Sequence, residues 1–341
     1  MASRIVCAVT DATRRAPSMY DVAARAGVSH QTVSRVLNGF AGIRPETRDR
    51  VETAIADLGY RPNKAARALV TSRTRAIGVL APATTDFGPT SSLHAIERAV
   101  RDAGYHPLIT STPVEAEAVR ASLEFLLDQS IEALVVIAPY RVVLDELRDL
   151  HGDLPIVALQ TGEFSDVSAA GIDQVAGARL AVRHLLDLGH RGIQQLAGPD
   201  AFIEAAVRRR AVDDELHSHG IPKLPTLTGD WSADSGYAAG ALVDNAATAV
   251  VCGNDQMALG LIHALTDLGR RVPQGVSVVG FDDIPESAHS LPPLTTVHQD
   301  FEEVGRRAVH ALVARLEGRD ADDESVAVTP ELVVRASTAA V

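Results

Sequence analysis

The sequence predicts an α/β protein in two parts: a small, basic, all-helical N-terminal module, and a much larger body of two α/β lobes built on parallel sheets. Three observations carry this. At 341 residues the chain is too long for one small domain and long enough for a module plus a two-lobed body. Its charge is segregated: residues 1–75 hold 13 Lys and Arg against six Asp and Glu, whereas residues 76–341 hold 19 against 38, within an overall charge of −12. After Arg75, apolar runs of strand length alternate with amphipathic helical segments, a rhythm absent before it.

Residues 1–17 read as a loose tail. From Ser18 to about Gly59 the pattern is helical, in three short pieces broken at Gly27 and at the turn from Asn38 to Pro45. The segment YDVAARAGVSHQTVSRVLNG (20–39) has the layout of a helix-turn-helix. Its first helix turns Val22, Ala23 and Ala26 inward, Gly27 supplies the turn, Val28 plugs the core, and Ser29 caps a second helix carrying Thr32, Val33 and Val36. That second helix exposes His30, Gln31, Ser34, Arg35 and Asn38. A recognition helix points such side chains at base edges, where Arg can grip guanine in bidentate fashion and Gln can grip adenine. Thr32, Ser34 and Asn38 are short donors suited to phosphate oxygens. In Tyr60-Arg61-Pro62-Asn63, Pro62 stops one helix and Asn63 can cap another, short and Ala-rich, running to about Val70. The expected divisions are a tail (1–17), a headpiece (18–62), a hinge helix and linker (63–75) and a two-lobed core (76–341). A basic module meets the phosphate backbone of double-stranded DNA, while an acidic body discourages non-specific collapse onto it.

In the core, the strands read AIGVLAP (76–82), HPLITST (106–112), ALVVIAP (133–139), PIVALQ (155–160), GIQQLAG (192–198), TAVVCGN (248–254) and VSVVGFDD (276–283). Apolar strands alternating with helices imply parallel sheets covered on both faces. Ligands in such sheets sit beyond the carboxyl ends of strands, which singles out the loops after Pro82, Gln160, Gly198, Asn254 and Asp282. Enzyme signatures are missing: there is no G-x-G-x-x-G or G-x-S-x-G, and neither lysine, Lys64 or Lys223, follows a glycine as a P-loop requires. No catalytic residue and no cofactor are assigned. Cys7 and Cys252 cannot make a zinc site or a disulfide framework, and His217 and His219, two apart on a helix, splay away from each other, so no metal is expected. With no signal-peptide core and no run of 18 apolar residues, the expectation is a soluble cytoplasmic protein working on the nucleoid, with no membrane partner.

The run DVAARAGVSHQTVSRVLNG, followed by TRDRVETAIADLGYRPNKAARAL, closely resembles the lactose/galactose-repressor family of bacterial regulators. The resemblance continues through GDWSADSG (229–236), NDQMALG (254–260), VSVVGFDD and PPLTTVHQDF (292–301), and spans about residues 18–338. It implies a periplasmic-binding-protein-like core in which the chain crosses between lobes and a ligand sits in the cleft. It also implies a repressor of sugar-utilisation genes, released from operator DNA by a small saccharide or glycoside. On the resemblance the DNA-facing set is Tyr20, Ser29, His30, Gln31, Thr32, Ser34, Arg35 and Asn38, with Leu69 as the hinge leucine that wedges into the minor groove. His30 stands where the family pattern has an aromatic base-contacting residue, so the operator sequence does not carry over. No leucine-rich tetramerising segment follows ELVVRAS, and the expected assembly is a homodimer on an inverted repeat.

Sugars are held by planar side chains with several donors and acceptors, and by an aromatic face against the ring. Trp231 is the only tryptophan and falls in GDWSADSG. By register with the family, Arg208 in EAAVRRRAVDDEL reaches hydroxyls, Asn254 and Asp282 end two core strands facing them, and Gln299 joins the set. Gln160 stands where the family pattern has an aspartate and Glu204 where it has a small serine. Both would face the sugar, so galactoside specificity is not implied.

Overall fold

The computed structural model describes residues 15, 17–61, 73–148, 154–159, 168–319 and 326–341. Most of the N-terminal tail, the hinge segment with Leu69, and Gln160 lie outside these residues. The chain forms two compact units, residues 1–74 and 75–341.

In the first unit, helix α1 (Met19–Ala26) starts at a capping box: the Ser18 backbone N–H donates to Asp21 Oδ2 (2.7 Å), and Ser18 Oγ accepts from the Asp21 backbone. Gly27, at φ 66°, closes α1 in the left-handed conformation that a side chain would strain. Ser29 caps α2 (His30–Leu37) by accepting from Thr32 N at 3.1 Å. Pro45 opens α3 (Pro45–Leu58), where its missing N–H costs nothing. Val22, Ala23, Ala26, Val33, Val36, Val51, Ala54 and Tyr60 make the small core.

The second unit holds two six-stranded sheets. Strands β1 (Ala76–Pro82), β2 (His106–Thr112), β3 (Ala133–Ile137), β4 (Ile156–Leu159), β5 (Ser168–Ile172) and β11 (Val326–Val328) form the first, ordered β11-β5-β4-β3-β1-β2 and parallel throughout. Strands β6 (Ile193–Ala197), β7 (Leu227–Thr228), β8 (Ala249–Cys252), β9 (Ser277–Asp282), β10 (Thr295–His298) and β12 (Glu331–Val333) form the second, ordered β12-β10-β9-β8-β6-β7. Only β12 there runs antiparallel, against β10. This order makes the chain pass between lobes three times: after Ile172, after His298 and after Val328. Each sheet carries an apolar cluster on both faces, as fully buried β3 and β9, and β1 buried beyond Ala76, demand.

One strand expectation changes. HPLITST is an edge strand of exposed and half-buried residues, buried only at Thr112. Strand β7 is only Leu227–Thr228, because the chain turns at Gly229 to start a new helix at Ala233. The strands SAAGI, TTVH and VAV escape a reading by apolar runs because they are short and rich in small or polar residues.

In the second lobe, α9 (Ala233–Ala239) lies against α10 (Asp255–Asp267) with their backbones nearly touching. A β-carbon at Gly260 would collide with the Ala233 carbonyl, and one at Gly236 with the Met257 carbonyl. Gly260→Ala must therefore push two helices apart, an overpacking change expected to lower stability by about 1–3 kcal/mol. Urea denaturation should show a lower midpoint at unchanged slope; an unchanged midpoint would count against this close approach.

Candidate functional site

The carboxyl ends of the strands of both lobes face one small cavity of about 70 Å³. The first lobe lines it with Gly88, Pro89, Ile137, Pro139, Leu159 and Ile172, and the second with Phe202, Glu204 and Arg208. Two crossover residues, Gln174 and Gln299, complete the wall.

Arg208 lies on α8 (Ile203–Ser218), the helix following β6, and unlike its neighbours Arg209 and Arg210 it is buried. Its Nε donates to Gln174 Oε1 (2.7 Å), Nη1 to the Gly253 carbonyl (2.6 Å) and Nη2 to Gln299 Oε1 (3.4 Å). The guanidinium carbon sits 3.9 Å from the centre of the Phe281 ring. Gln174 Nε2 donates to Gln299 Oε1 (2.8 Å), and Gln299 Nε2 donates in turn to Asp282 Oδ1 (2.5 Å), which stands 3.8 Å from Arg208 Nη1. Burial pulls the Arg208 pKa down against the opposing pull of Asp282 and Glu204. Burial pushes Asp282 up to about 7, with Arg208 holding it back. Glu204 is likewise pushed up to about 7 by burial, held back by its own backbone N–H and by Arg208. Its Oε2 is buried and has no hydrogen-bond partner among the described residues.

Of the residues expected from sequence, Glu204, Arg208 and Gln299 line the cavity, and Asp282 stands directly behind Gln299. Trp231 and Asn254 lie deeper. The Trp231 ring packs on Gly198 and Gly253, meets Phe202 edge-on at 5.2 Å and lies 5.8 Å from the Arg208 guanidinium, with its Nε1 buried and unpartnered among the described residues. Asn254 caps α10: its Oδ1 accepts from Met257 N (3.0 Å), and its Nδ2 donates to the Trp231 carbonyl (2.9 Å) and to Gln256 Oε1 (2.8 Å). Sequence reasoning missed Gln174, whose importance comes from a chain crossing that no local pattern marks. It also missed Asp255, a buried carboxyl pushed up to about 6 that accepts from Ser287 Oγ, Thr296 Oγ1 and the Ile284 backbone. Among the described residues no group of His, Cys, Asp or Glu could hold a metal ion, and no helix is long and apolar enough to cross a membrane.

In the headpiece, α2 presents His30, Gln31, Arg35 and Asn38 to solvent, with Thr32 and Ser34 half-buried. The exposed Tyr20 ring lies 5.3 Å from that of His30, so the two helices offer one joined aromatic patch. The Arg35 guanidinium rests 5.5 Å from the Phe40 ring and is paired with no carboxylate among the described residues. Asn38 Nδ2 donates to Ser34 Oγ at 3.4 Å, and the hydroxyls of Ser29 and Thr32 lie 3.0 Å apart.

Residues 18–63 match the bacterial regulatory proteins of the lacI family, and residues 182–338 match the periplasmic binding protein-like domain. The lactose operon repressor of Escherichia coli (strain K12) is 34% identical over 311 residues, 89% of this chain and 85% of that one. The HTH-type transcriptional repressor PurR of Salmonella paratyphi A (strain ATCC 9150 / SARB42) is 33% identical over 329 residues, 94% of this chain and 96% of that one. Among solved structures, the lac repressor dimer bound to operator and the anti-inducer ONPF matches with a TM-score of 0.87 at 32% identity, covering 96% of this chain and all of that one. The complex of the transcriptional regulator CelR with cellobiose matches at 0.68 and 29% identity, covering 94% and 99%. With a helix-turn-helix headpiece, a two-lobed core and relatives that match along most of their length, this chain belongs to the lacI family of bacterial regulatory proteins.

Proposed function

We propose that this protein is a transcriptional repressor of sugar-utilisation genes that grips an inverted-repeat operator as a homodimer and lets go when a small saccharide enters the cleft between its lobes. It works in the cytoplasm, on the nucleoid, by binding and not by turnover. The observation that carries the reading is the buried network of Arg208, Gln174, Gln299 and Asp282. It puts a multi-donor, multi-acceptor surface of the kind that holds hydroxyls at the crossings between lobes. Tyr20, Ser29, His30, Gln31, Thr32, Ser34, Arg35 and Asn38 form the DNA-facing surface in this reading, with Leu69 as the minor-groove wedge. Glu204, Arg208, Asp282 and Gln299 grip the effector in this reading, with Gln160 assigned to the same role and Trp231 and Asn254 supporting the floor.

A thermal-shift screen of mono- and disaccharides tests the sensing half, since a ligand at 100 times its Kd adds about 2.7 kcal/mol of stability. On the DNA side, Arg35→Ala should cost about 1–3 kcal/mol and relax the preference at one position of each half-site, whereas Ser34→Ala should weaken binding about equally on all sequences. Band-shift titrations on operators randomised one position at a time read both; an unchanged base preference after the Arg35 substitution would argue against α2 in the major groove.

On the effector side, Asp282→Asn keeps the shape but removes a charge-assisted acceptor worth about 1.5–3 kcal/mol. Effector affinity should fall at least about tenfold, while operator affinity without effector stays within about threefold. Calorimetric titration with the sugar found in the screen, alongside an operator-binding curve, measures both. Lower thermal stability with unchanged effector affinity would assign Asp282 a purely structural role.

A further inference from the structure

We propose that Glu204 selects the chemical class of effector: the cleft takes an uncharged or amino-bearing saccharide that presents a hydrogen-bond donor to this carboxylate, and it refuses sugar phosphates and sugar acids. This rests on the saccharide reading above and narrows it.

The first observation is an acceptor with nothing to accept. Glu204 Oε2 is buried on the cavity wall without a partner among the described residues. Three neighbouring carboxylates are provided for: Asp282 accepts from Gln299, Asp255 from Ser287, Thr296 and the Ile284 backbone, and Asp283 from Arg335 and His298. A buried acceptor left unmade is costly, and a ligand donor at this point relieves that cost.

The second observation is charge. Asp86, Glu204, Asp255 and Asp282 all act on the cavity's titratable groups, and Arg208 is the cation they act with. Three of its N–H groups are already committed to Gln174, Gly253 and Gln299. The amino end of α8, where a helix would attract an anion, is already occupied by the Glu204 carboxylate. The facing wall of Pro89, Ile137, Pro139, Leu159 and Ile172 offers an incoming phosphate no counter-charge and suits the apolar face of a sugar ring.

Calorimetry on the full chain tests this with three sets of probes at pH 6 and pH 8. They are neutral sugars (glucose, galactose, cellobiose, lactose), amino sugars (glucosamine, galactosamine) and anionic sugars (glucose 6-phosphate, glucuronate). Any neutral sugar that binds should outcompete its anionic counterpart by at least about tenfold. Glu204 is raised to about 7 in the free protein, so its carboxylate is ionised above that pH and protonated below it. Binding that uses the ionised form should weaken by up to about tenfold from pH 8 to pH 6. Asp282 titrates in the same range, and Tyr140, Arg208 and Asp86 face the same space, so the profile is compared with that of Glu204→Gln, which retains all of them. The variant should lose most of the difference between pH 6 and pH 8 and admit the anionic probes relatively better; Glu204→Ser should do the same if the Gln variant folds poorly. A phosphate or acid bound by the wild type as tightly as its neutral parent, or identical pH profiles in wild type and variant, would overturn the proposal while leaving saccharide sensing standing. Failure of every saccharide to bind would instead remove the saccharide reading, and this inference with it.

Discussion

A guanidinium taken out of water has to be given partners, and the partners that Arg208 finds join two of the crossings between the lobes. Gln174 begins the helix after the first crossing between lobes, and Gln299 follows the last strand before the second. Both are tied to Arg208 and to each other. The charge cannot be abandoned there without a cost of several kcal/mol, so cleft and crossings form one hydrogen-bonded unit. In the proposed reading, an effector hydroxyl that takes a hydrogen bond within this unit competes with the groups that tie the two crossings to Arg208, and a ligand shifts a conformational population only through such a differential interaction.

The same unit explains why some of the site was legible in sequence and some was not. The helix-turn-helix is written locally: Ser18, Gly27, Ser29 and Pro45 are capping or turn residues acting within a few positions of themselves, and the inward faces follow helical spacing. Most of the core strands were equally readable because burial on both faces demands unbroken apolar runs. The site depends instead on strand order. Nothing near Gln174 announces that it lies beside Gln299, 125 positions on. Arg208 could be told from Arg209 and Arg210 only by family register, since all three sit in one polar stretch of helix.

Trp231 and Asn254 show the limit of reading a residue type as a role. Both were expected to face the sugar. In the structure Asn254 spends its oxygen on the amino end of α10 and its amide on the Trp231 carbonyl and Gln256, fixing a segment in which Trp231 itself holds a positive φ of 76°. The bare surfaces of Gly198 and Gly253 leave room for the indole, whose six-membered ring occupies the space a side chain at Gly198 would need. These residues shape the floor on which Arg208 lies, and the Gly253 carbonyl that accepts from Arg208 belongs to the same turn.

That placement of the indole has an optical side. Trp231 is the sole tryptophan of the chain, is 8% exposed, and sits between an aromatic ring and a buried cation one layer from the cavity. Indole emission responds to the polarity and charge around the ring, and here every such photon originates at the cleft floor, with none from the headpiece. The protein thus carries an intrinsic fluorophore confined to its sensing lobe. A change in polarity or charge at the cleft floor can thus be followed in the unlabelled protein.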